Sequence, residues 1–521
     1  MDSFEQLTPV RFLDRSAAIF AERTAVIDQG RRFTYRQLAE RARALAGSLA
    51  ANGIHSGDRV AALCANSHVM IELHQAVPRI GAVLVPLNTR LSESELAYIL
   101  EHCGARLLVA TAEYAELATQ LGSRLAVEVL VADGTESGYE QRIAVAESLD
   151  GPLPDERSLM SINYTSGTTG RPKGVMYQHR GAYLQALAMA YHVGLAPDSR
   201  YLWTLPMFHC HGWCFPWAVM AAGGTQVCLR SFDPAETWHQ LRDGVTHFSA
   251  APTVLTMIAE SPSAHGARLD RAVRVSTGGA PPSPALLRRM SDLNLEVTHL
   301  YGLTETYGPV MVNVWQPEWE ALPGDEVDRL RARQGAPNLT ASGPRVLDAE
   351  GGDVPSDGAT IGELVIRGNG VMLGYYGDDD ATDAADADGW FRTGDLAVMH
   401  PDGYVEIKDR LKDVIISGGE NISSVEVERV LDSHPDVIES AVVGRPDARW
   451  GEVPVAFVAL RSGARVTGAD LAAHVRARLA GYKVPKDFEF GELPHTSTGK
   501  VPKNKLREAL ARPEPDPDKE C

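Results

Sequence analysis

A run of small and hydroxyl-bearing residues leads into a lysine at residues 165–174, and this composition suits phosphate binding. The run reads Thr165-Ser166-Gly167-Thr168-Thr169-Gly170-Arg171-Pro172-Lys173-Gly174. Glycines let the backbone approach an anion, hydroxyl groups donate to phosphate oxygens, and the lysine supplies a positive charge. The P-loop pattern G-x-x-x-x-G-K-[ST] is absent, because Pro172 precedes Lys173 and Gly174 follows it. The run predicts a nucleoside triphosphate site outside the kinase and GTPase classes.

A second segment, residues 203–217, concentrates histidine, cysteine and aromatic side chains. Its metal-capable residues are His209, Cys210, His211 and Cys214. Their spacing matches none of the usual zinc patterns, and no second ligand pair occurs elsewhere in the chain. The spacing therefore does not favour a zinc site.

Other catalytic signatures are missing or defective. The segment Gly368–Gly374 resembles a dinucleotide loop, but its third glycine comes one place too late for G-x-G-x-x-G. We interpret it as a turn leading into a strand. No H-E-x-x-H and no G-x-S-x-G occurs, so neither a metalloprotease nor a serine hydrolase is indicated.

Five ordered motifs resemble those of the adenylate-forming superfamily. The first is the phosphate run with Tyr164 before it and Val175 after it. The others are Tyr301-Gly-Leu-Thr-Glu-Thr306, Gly389-Trp-Phe-Arg-Thr-Gly-Asp395, Lys408-Asp-Arg-Leu-Lys-Asp413 and Thr498-Gly-Lys500. The resemblance covers almost the whole chain, and five matches in order over more than 300 residues exclude chance. That superfamily contains acyl-CoA synthetases, luciferases and peptide-synthetase adenylation domains.

The resemblance implies a role for each motif in binding ATP and Mg²⁺. Pyrophosphate is expected on Thr165, Ser166, Gly167, Thr168, Thr169 and Lys173. The adenine is expected between Tyr301 and the wall formed by Gly279 and Ala280, with the ribose on Asp395 and Arg410 beside it. Thr304 would contact the α-phosphate and Glu305 would hold Mg²⁺, a cation that prefers oxygen ligands.

Lys500 is expected to reach back to the main site from the C-terminal part of the chain. In the family this lysine bridges the substrate carboxylate and the adenylate phosphate, orienting the attack and stabilising developing charge. Transfer of the acyl group to the thiol of coenzyme A then needs a second geometry, which a mobile small domain provides. Lys412 occupies the hinge position of relatives, and the turn at Ser417, Gly418 and Gly419 is expected to admit the pantetheine arm.

The segment Leu-Pro-Met-Phe-His-Cys-His-Gly-Trp-Cys-Phe, together with residues 7–13, resembles the branch that activates short-chain, medium-chain or aromatic acids. Cinnamate, benzoate and butyrate ligases belong to it. His209 is expected to separate the acid pocket from the thiol channel. Candidate pocket residues are Trp213, Thr277, Gly278, Tyr307 and Gly308, although buried aromatic residues equally suit a core.

The sequence therefore predicts an ATP-dependent, AMP-forming acid:CoA ligase, with two alternatives. One keeps adenylation but transfers the acyl group to a carrier protein or an amine, or activates another acid such as nitrite. The other is a non-catalytic nucleotide-binding relative. Lys173, Glu305, Asp395, Arg410 and Lys500 are all present, which speaks against the latter. The identity of the acid remains open.

The elements that must position these residues follow an α/β rhythm. Residues 34–51 repeat apolar residues at helical spacing, and the short apolar runs at 60–63, 82–85 and 107–110 alternate with such segments. Residues 161–164 form a further predicted strand in front of the phosphate run. We predict a large N-terminal α/β body of several subdomains, followed by a small mobile α+β domain.

The predicted boundaries are residues 1–408 for the body, 409–413 for the hinge and 414–510 for the small domain. In the small domain we expect helices over 425–431 and 470–479 and strands over 441–444 and 453–460. The remaining residues 511–521 alternate proline with acidic residues and are expected to be disordered.

Composition excludes several classes of protein. The formal charge of -18 argues against nucleic-acid binding, which needs a basic face. No run of about 18 apolar residues and no signal peptide is present, so we expect a cytoplasmic protein without membrane insertion. Six cysteines spread over 521 residues are expected to be reduced. The sequence leaves the oligomeric state open, a homodimer included.

Overall fold

The computed structural model describes residues 4–132, 134, 137–165, 171–461, 463–496 and 500–511, without the side chains of Asp325 and Ala511. Within these ranges it contains two large sheets, two smaller sheets and helices packed against them.

The body contains 21 strands, counting only those within the described residues. They are β1 Thr24–Asp28, β2 Arg31–Thr34, β3 Arg59–Leu63, β4 Val83–Pro86, β5 Ala105–Thr111, β6 Glu128–Ala132, β7 Leu159–Thr165, β8 Lys173–Gln178, β9 Arg200–Trp203, β10 Thr225–Cys228, β11 His247–Ala250, β12 Val273–Thr277, β13 Leu295–Leu303, β14 Gly308–Val312, β15 Ala336–Pro337, β16 Arg345–Leu347, β17 Gly362–Ile366, β18 Gly374–Tyr375, β19 Asp386–Ala387, β20 Trp390–Met399 and β21 Val405–Arg410.

The helices of the body lie between these strands. They are α1 Arg11–Ile19, α2 Tyr35–Ala51, α3 His68–Arg79, α4 Glu93–Cys103, α5 Ala115–Leu125, α6 Gly138–Val145, α7 His179–His192, the single turn α8 Cys210–Trp213, α9 Phe215–Ala222, α10 Pro234–Arg242, α11 Pro252–Glu260, α12 Pro284–Asp292, α13 Gly324–Ala332 and α14 Asp379–Ala384. Short 3₁₀ turns occur at Ala112–Tyr114, Pro262–Ala264, Thr304–Thr306 and Pro317–Ala321.

The small domain follows β21. Its elements are β22 Ile415–Ser417, β23 Glu420–Ile422, α15 Ser424–Asp432, β24 Val437–Asp447, β25 Gly451–Leu460, α16 Gly468–Arg476, the 3₁₀ turn Gly481–Lys483, β26 Asp487–Phe490 and α17 Lys503–Ala511. Ala511 therefore ends a helix instead of beginning the predicted tail, and residues 512–521 lie outside the described residues.

Two mainly parallel sheets form most of the body, and a smaller antiparallel sheet of β16, β17, β19, β20 and β21 completes it. Of the two large sheets, one has the order β15-β14-β13-β12-β11-β9-β10-β1-β2 and the other β18-β8-β7-β4-β3-β5-β6. The strands from β13 across to β1 are parallel, as are those from β7 across to β6. A core containing Leu84, Tyr201 and Trp203 joins both sheets. Because parallel strands present their carboxyl ends at one edge, loops from separate sequence segments meet there.

Local signals explain several element boundaries. Thr34 caps α2 in a capping box with Gln37, which is where the helical periodicity predicts that this helix begins. Ser423 caps α15 by accepting from the backbone N–H of Glu426. The strands predicted at 60–63, 107–110 and 161–164 lie inside β3, β5 and β7, and the predicted fold class is confirmed.

Candidate active site

The phosphate run joins two antiparallel strands. Thr165 ends β7 and is paired with Lys173, the first residue of β8. Both predicted residues therefore lie side by side at the adjoining ends of these two strands. The other predicted phosphate ligands, Ser166, Gly167, Thr168 and Thr169, lie outside the described residues.

The Lys173 ammonium is held by a weak network at the surface. Its Nζ lies 3.4 Å from the Asp378 carboxylate and 4.9 Å from the centre of the Tyr375 ring. Both partners of the ion pair are well exposed, with 44% and 39% of their side chains accessible. An exposed pair contributes only about 0–1 kcal/mol, so Lys173 can exchange Asp378 for a phosphate oxygen at little cost.

Tyr375 connects the phosphate run to the predicted magnesium ligand. Its hydroxyl donates to Glu305 Oε1 at 2.8 Å, while its ring faces Lys173. Burial raises the pKa of Tyr375, as does the charge of Glu305, so the hydroxyl remains a donor. Lys173 and Glu305 thus both contact Tyr375, Lys173 at the ring and Glu305 at the hydroxyl.

The turn that carries Thr304 and Glu305 begins where β13 ends. The Tyr177 hydroxyl donates to the Thr304 carbonyl at 2.6 Å, and Thr304 Oγ1 lies 3.4 Å from the Cys210 sulfur. These contacts fix Thr304 between the strand after the phosphate run and the segment predicted to form the acid pocket.

The donor set fits Mg²⁺ bound jointly with a nucleotide. Among the described residues, no group of three or more His, Cys, Asp or Glu side chains could hold a metal ion. Mg²⁺ commonly binds through one or two carboxylates together with substrate phosphates, and a single carboxylate beside a phosphate loop meets that requirement. Glu305 would hold the ion, which would neutralise charge on the triphosphate.

A second polar group lies where the nucleoside is expected. The Tyr301 hydroxyl donates to Asp395 Oδ2 at 2.6 Å, and Arg410 Nε lies 3.1 Å from Asp395 Oδ1. Pairing of β20 with β21 places Asp395 directly opposite Arg410. Burial raises the pKa of Tyr301 far above its ordinary value, and the Asp395 charge adds to this effect. The carboxylate is therefore fixed between one neutral and one cationic donor.

The predicted adenine wall follows the neighbouring strand. Gly279 and Ala280 come one residue after the end of β12, which is parallel to the strand that carries Tyr301. Gly279 has φ +87° and no atom lies within 4 Å of where a Cβ would stand, so this face is open. The open face at Gly279 therefore lies on the strand next to that of Tyr301, and its role as an adenine wall stays a prediction.

Lys500 lies beside the nucleoside group although it belongs to the small domain. Burial lowers the pKa of its ammonium to about 8, and the charge of the nearby Arg410 lowers it further, while Asp395 and Asp413 oppose the shift. Lys500 still keeps part of its surface in contact with solvent. The small domain is therefore docked with the Lys500 ammonium close enough to Asp395 and Arg410 for their charges to shift its pKa.

The predicted pocket segment forms an unusual turn. Cys210, His211, Gly212, Trp213 and Cys214 all have positive φ, from 41° to 63°. A left-handed turn costs about 1–2 kcal/mol for each residue with a side chain, and such strain is concentrated at functional sites. The turn leaves His209 half-buried next to Cys210, and burial lowers the pKa of His209 to about 4. The His209 imidazole is therefore neutral at physiological pH.

The turn places Trp213 against two predicted pocket glycines. A Cβ on Gly278 would lie 3.1 Å from the Trp213 ring, and one on Gly308 would lie 3.3 Å from the Trp213 Cα. Thr277 is fully buried, and its hydroxyl has no hydrogen-bond partner among the described residues. Tyr307 is also buried and stacks on Tyr177 with ring centres 3.8 Å apart. The structure thus brings the predicted pocket residues together.

The turn predicted to admit the pantetheine arm is a two-residue hairpin. Gly418 and Gly419 connect β22 to β23 with φ of +62° and +88°, conformations that favour glycine. The Trp450 ring covers Gly418, since a Cβ there would lie 2.9 Å from it. Ser417 pairs with Glu420 across the hairpin and with Gly451 of β25.

Sequence reasoning missed three residues that organise the site: Tyr177, Tyr375 and Asp378. Tyr375 and Asp378 follow the Gly368–Gly374 segment, which is a turn and strand as predicted, but nothing in its spacing indicates contact with Lys173 or Glu305. Tyr177 is buried on β8, where a core role is the simpler interpretation.

These groups define an enzyme site in which a nucleotide, a magnesium ion and an organic acid would meet. Residues 13–376 match the family model for the AMP-binding enzyme, and residues 426–500 match the model for the AMP-binding enzyme C-terminal domain. The chain belongs to the AMP-binding enzyme family, which confirms the resemblance found in the sequence motifs.

Relatives and solved structures agree with this assignment. The chain is 43% identical to the acetate–CoA ligase of Humulus lupulus, covering 97% of this chain and 95% of the relative. It is 42% identical to a peroxisomal acetate/butyrate–CoA ligase of Arabidopsis thaliana over the same shares. Its structure is similar to that of ATP-bound MatB from Rhodopseudomonas palustris, with TM-score 0.85, 29% identity and coverage of 96% of this chain and 98% of that one.

Proposed function

We propose that this protein is an ATP-dependent, AMP-forming acid:CoA ligase. The observation that carries the proposal is the approach of groups from separate parts of the chain to one site. Lys173 and Glu305 flank Tyr375, Tyr301 and Arg410 flank Asp395, and Lys500 joins them from the small domain. The sequence prediction of this activity agrees with the CoA ligase relatives.

In the first half-reaction, a carboxylate oxygen of the acid attacks the α-phosphorus of ATP and pyrophosphate leaves. A carboxylate is already a nucleophile at neutral pH, so the protein mainly positions the reactants and neutralises charge. We assign Lys173 to the departing pyrophosphate, Thr304 to the α-phosphate and Lys500 to the bridge between acid and phosphate. Bound Mg²⁺ would supply charge neutralisation beside Glu305.

In the second half-reaction, the thiol of coenzyme A attacks the carbonyl carbon of the acyl-adenylate, and AMP leaves as the thioester forms. The thiol needs an open side of the adenylate, and Lys500 stands at the site in the arrangement described here. We assign the change of arrangement to rotation at Lys412. It would bring the Ser417–Gly418–Gly419 hairpin towards the site, with His209 at the border of the acid pocket.

The acid is proposed to be short-chain, medium-chain or aromatic. Trp213 fills the space over Gly278 and Gly308, which favours a shallow pocket. Relatives named for acetate and butyrate are consistent with a small acid. Pocket depth is the property that separates these acid classes, since each added methylene changes discrimination by about 1–3 kcal/mol.

We propose a cytoplasmic location. No helix in the described part of the chain is both long and apolar enough to span a bilayer. Several relatives are named as peroxisomal, so the alternative is import into an organelle. Fractionation of cells that express the full-length chain decides between the two locations.

Pyrophosphate release measured over a panel of acids tests the activity. Acetate, butyrate, octanoate, benzoate and cinnamate would each be supplied with ATP and Mg²⁺, with and without coenzyme A, and the products identified by mass. We expect acid-dependent release and a CoA thioester together with AMP. Release that the thiol leaves unchanged, with an adenylate but no thioester as product, would favour another acceptor. No release with any acid, and no ATP binding by calorimetry, would refute adenylation.

A further inference from the structure

The first turn of α15 in the small domain is docked on strand β21 of the body. Ser423 Oγ donates to the Lys408 carbonyl at 2.6 Å. Ser424 donates to the Asp409 carboxylate from its backbone N–H at 2.5 Å and from its hydroxyl at 2.8 Å. Asp409 and Ser424 are both buried. A carboxylate at a helix N-terminus is also favoured by the helix dipole.

The same helix makes an ion pair with the body one turn further on. Arg429 Nη1 lies 2.9 Å from Glu406 Oε1. Burial would raise the pKa of Glu406, but hydrogen bonds from His400 and Lys408 and the charge of Arg429 hold it well below its usual range. The pair is therefore charged at neutral pH. Arg429 Nη2 is buried and has no partner among the described residues, so this side chain inserts into the interface.

The point of rotation lies between residues that are tied to different domains. Arg410 is bound to Asp395, and the Leu411 N–H donates to the Gly394 carbonyl, so both residues are held by the body. Asp413 is held by Arg507 of α17 at 2.7 Å. A rotation of the small domain must therefore occur at about Lys412, and it must pull α15 away from β21.

Lys503 connects these contacts with the end of the chain that carries Lys500. Its ammonium donates to the Ser424 hydroxyl at 2.6 Å and pairs with Glu428 at 2.7 Å. The Ser424 hydroxyl thus receives from a lysine three residues after Lys500 and donates to a carboxylate of the body. The placement of Lys500 and the docking of α15 are parts of one network.

We infer that Ser424–Asp409 and Arg429–Glu406 form a latch that positions Lys500 for adenylation and must open before thioester formation. The inference rests on the proposed function, and it assigns Ser424, Arg429, Asp409 and Glu406 as positioning residues without contact to substrate. Removing part of the latch should lower the population of the adenylation arrangement, and with it the rate of only the first half-reaction.

The test compares Arg429→Met with Arg445→Met. Arg445 pairs with Asp487 at 2.5 Å inside the small domain, and its side chain is 38% exposed against 33% for Arg429. Pyrophosphate release reports adenylation, and conversion of a supplied acyl-adenylate by coenzyme A reports the second half-reaction. For Arg429→Met we expect adenylation to fall by about five- to tenfold, with thioester formation unchanged or faster. Arg445→Met should leave both rates near those of the wild type.

A second substitution distinguishes the latch from simple misfolding. Ser424→Ala removes the hydroxyl link but keeps the backbone donor, and it should produce a smaller shift in the same direction. Equal loss of both half-reactions in Arg429→Met, or loss of thioester formation alone, would overturn the latch.

The rate of proteolysis at the hinge reports opening of the latch without a measurement of enzyme activity. Lys412 is exposed, but its neighbours Arg410 and Asp413 are held in the docked arrangement, so we expect trypsin to cleave after Lys412 mainly when the domains separate. Arg429→Met should be cut there faster than the wild type and Arg445→Met, and equal cutting of all three would overturn the latch. Wild-type enzyme that adenylates no acid would refute the proposed function instead, and this cleavage comparison would still decide on the latch.

Discussion

At the scale of single residues, the ionisation of Lys500 sets a pH dependence. Its pKa is lowered to about 8, so the ammonium form predominates below that pH and is lost as the pH rises through it. Because the role proposed for Lys500 in adenylation needs the charged form, we expect kcat/KM for pyrophosphate release to fall about tenfold per pH unit above the pKa in the free enzyme. The measurement is the profile from pH 6.5 to 9.5.

Lys500→Arg is the matched variant for this profile. A guanidinium stays charged throughout the range, although its planar shape suits the site less well. Its rate should be lower at every pH, but the decline near pH 8 should disappear. A decline that is the same in both proteins would assign it to another group.

A second prediction concerns Trp213, which covers Gly278 and Gly308. Trp213→Ala should deepen the pocket, and each buried methylene of a longer acid then contributes about 0.8 kcal/mol. We expect the ratio of kcat/KM for octanoate to that for butyrate to rise by at least tenfold. The control is Trp217→Phe. The Trp217 ring contacts the Tyr307 ring, and its replacement should leave the ratio nearly unchanged. A ratio unaffected by Trp213→Ala would place the acyl chain elsewhere.

The sequence motifs indicated the charged residues of the candidate site but not the side chains that contact and position them. Lys173, Glu305, Asp395, Arg410 and Lys500 stand in motifs whose order can be recognised along the chain. The hydroxyl of Tyr375 reaches Glu305 across 70 residues, and that of Tyr177 reaches the Thr304 carbonyl across 127. Such contacts depend on how distant strands are paired, which local spacing does not encode.

At the scale of elements, the left-handed turn Cys210–Cys214 is the feature that the sequence least predicts. Four of its five residues carry side chains in a conformation that favours glycine. Packing of the buried aromatic residues around it, including Trp203 and Phe215, stabilises what local propensity disfavours. By contrast, α2 and β7 agree with prediction because their periodicity and capping signals are local.

Gly212→Ala tests whether this turn is held by packing. The residue has φ +52°, and an added Cβ would lie 2.6 Å from the Trp203 ring, so both strain and overlap result. We expect a loss of about 2–4 kcal/mol in unfolding free energy, seen as a lower Tm, together with weaker acid binding.

The control for the turn is Gly53→Ala. Gly53 has φ +81° with no atom within 4 Å of the added Cβ, so only backbone strain is introduced. Its cost should be about 1 kcal/mol. Equal losses in the two variants would mean that Trp203 yields easily and that the turn is not tightly packed.

At the scale of the whole molecule, composition and motif order predicted a large body and a small second domain, and the fold class agrees. Their relative placement could not be predicted, because it depends on a few interface contacts such as Arg429–Glu406. The predicted hinge 409–413 overlaps the end of β21. Asp409 and Arg410 belong to β21, so the connection between the domains is shorter than its motif.

This short connection makes Lys412→Pro the decisive substitution for the two-step cycle. Proline fixes φ near −65° and disfavours helical backbone at Leu411, which restricts rotation at this point. A cost of about 3 kcal/mol corresponds to a roughly hundredfold slower second half-reaction. Thioester formation from a supplied acyl-adenylate should fall by that factor, while pyrophosphate release should stay within severalfold of the wild type. The control is Lys412→Ala, which leaves the backbone free to rotate and should retain both rates. If Lys412→Pro instead slows both half-reactions in parallel, the domains do not alternate about this residue.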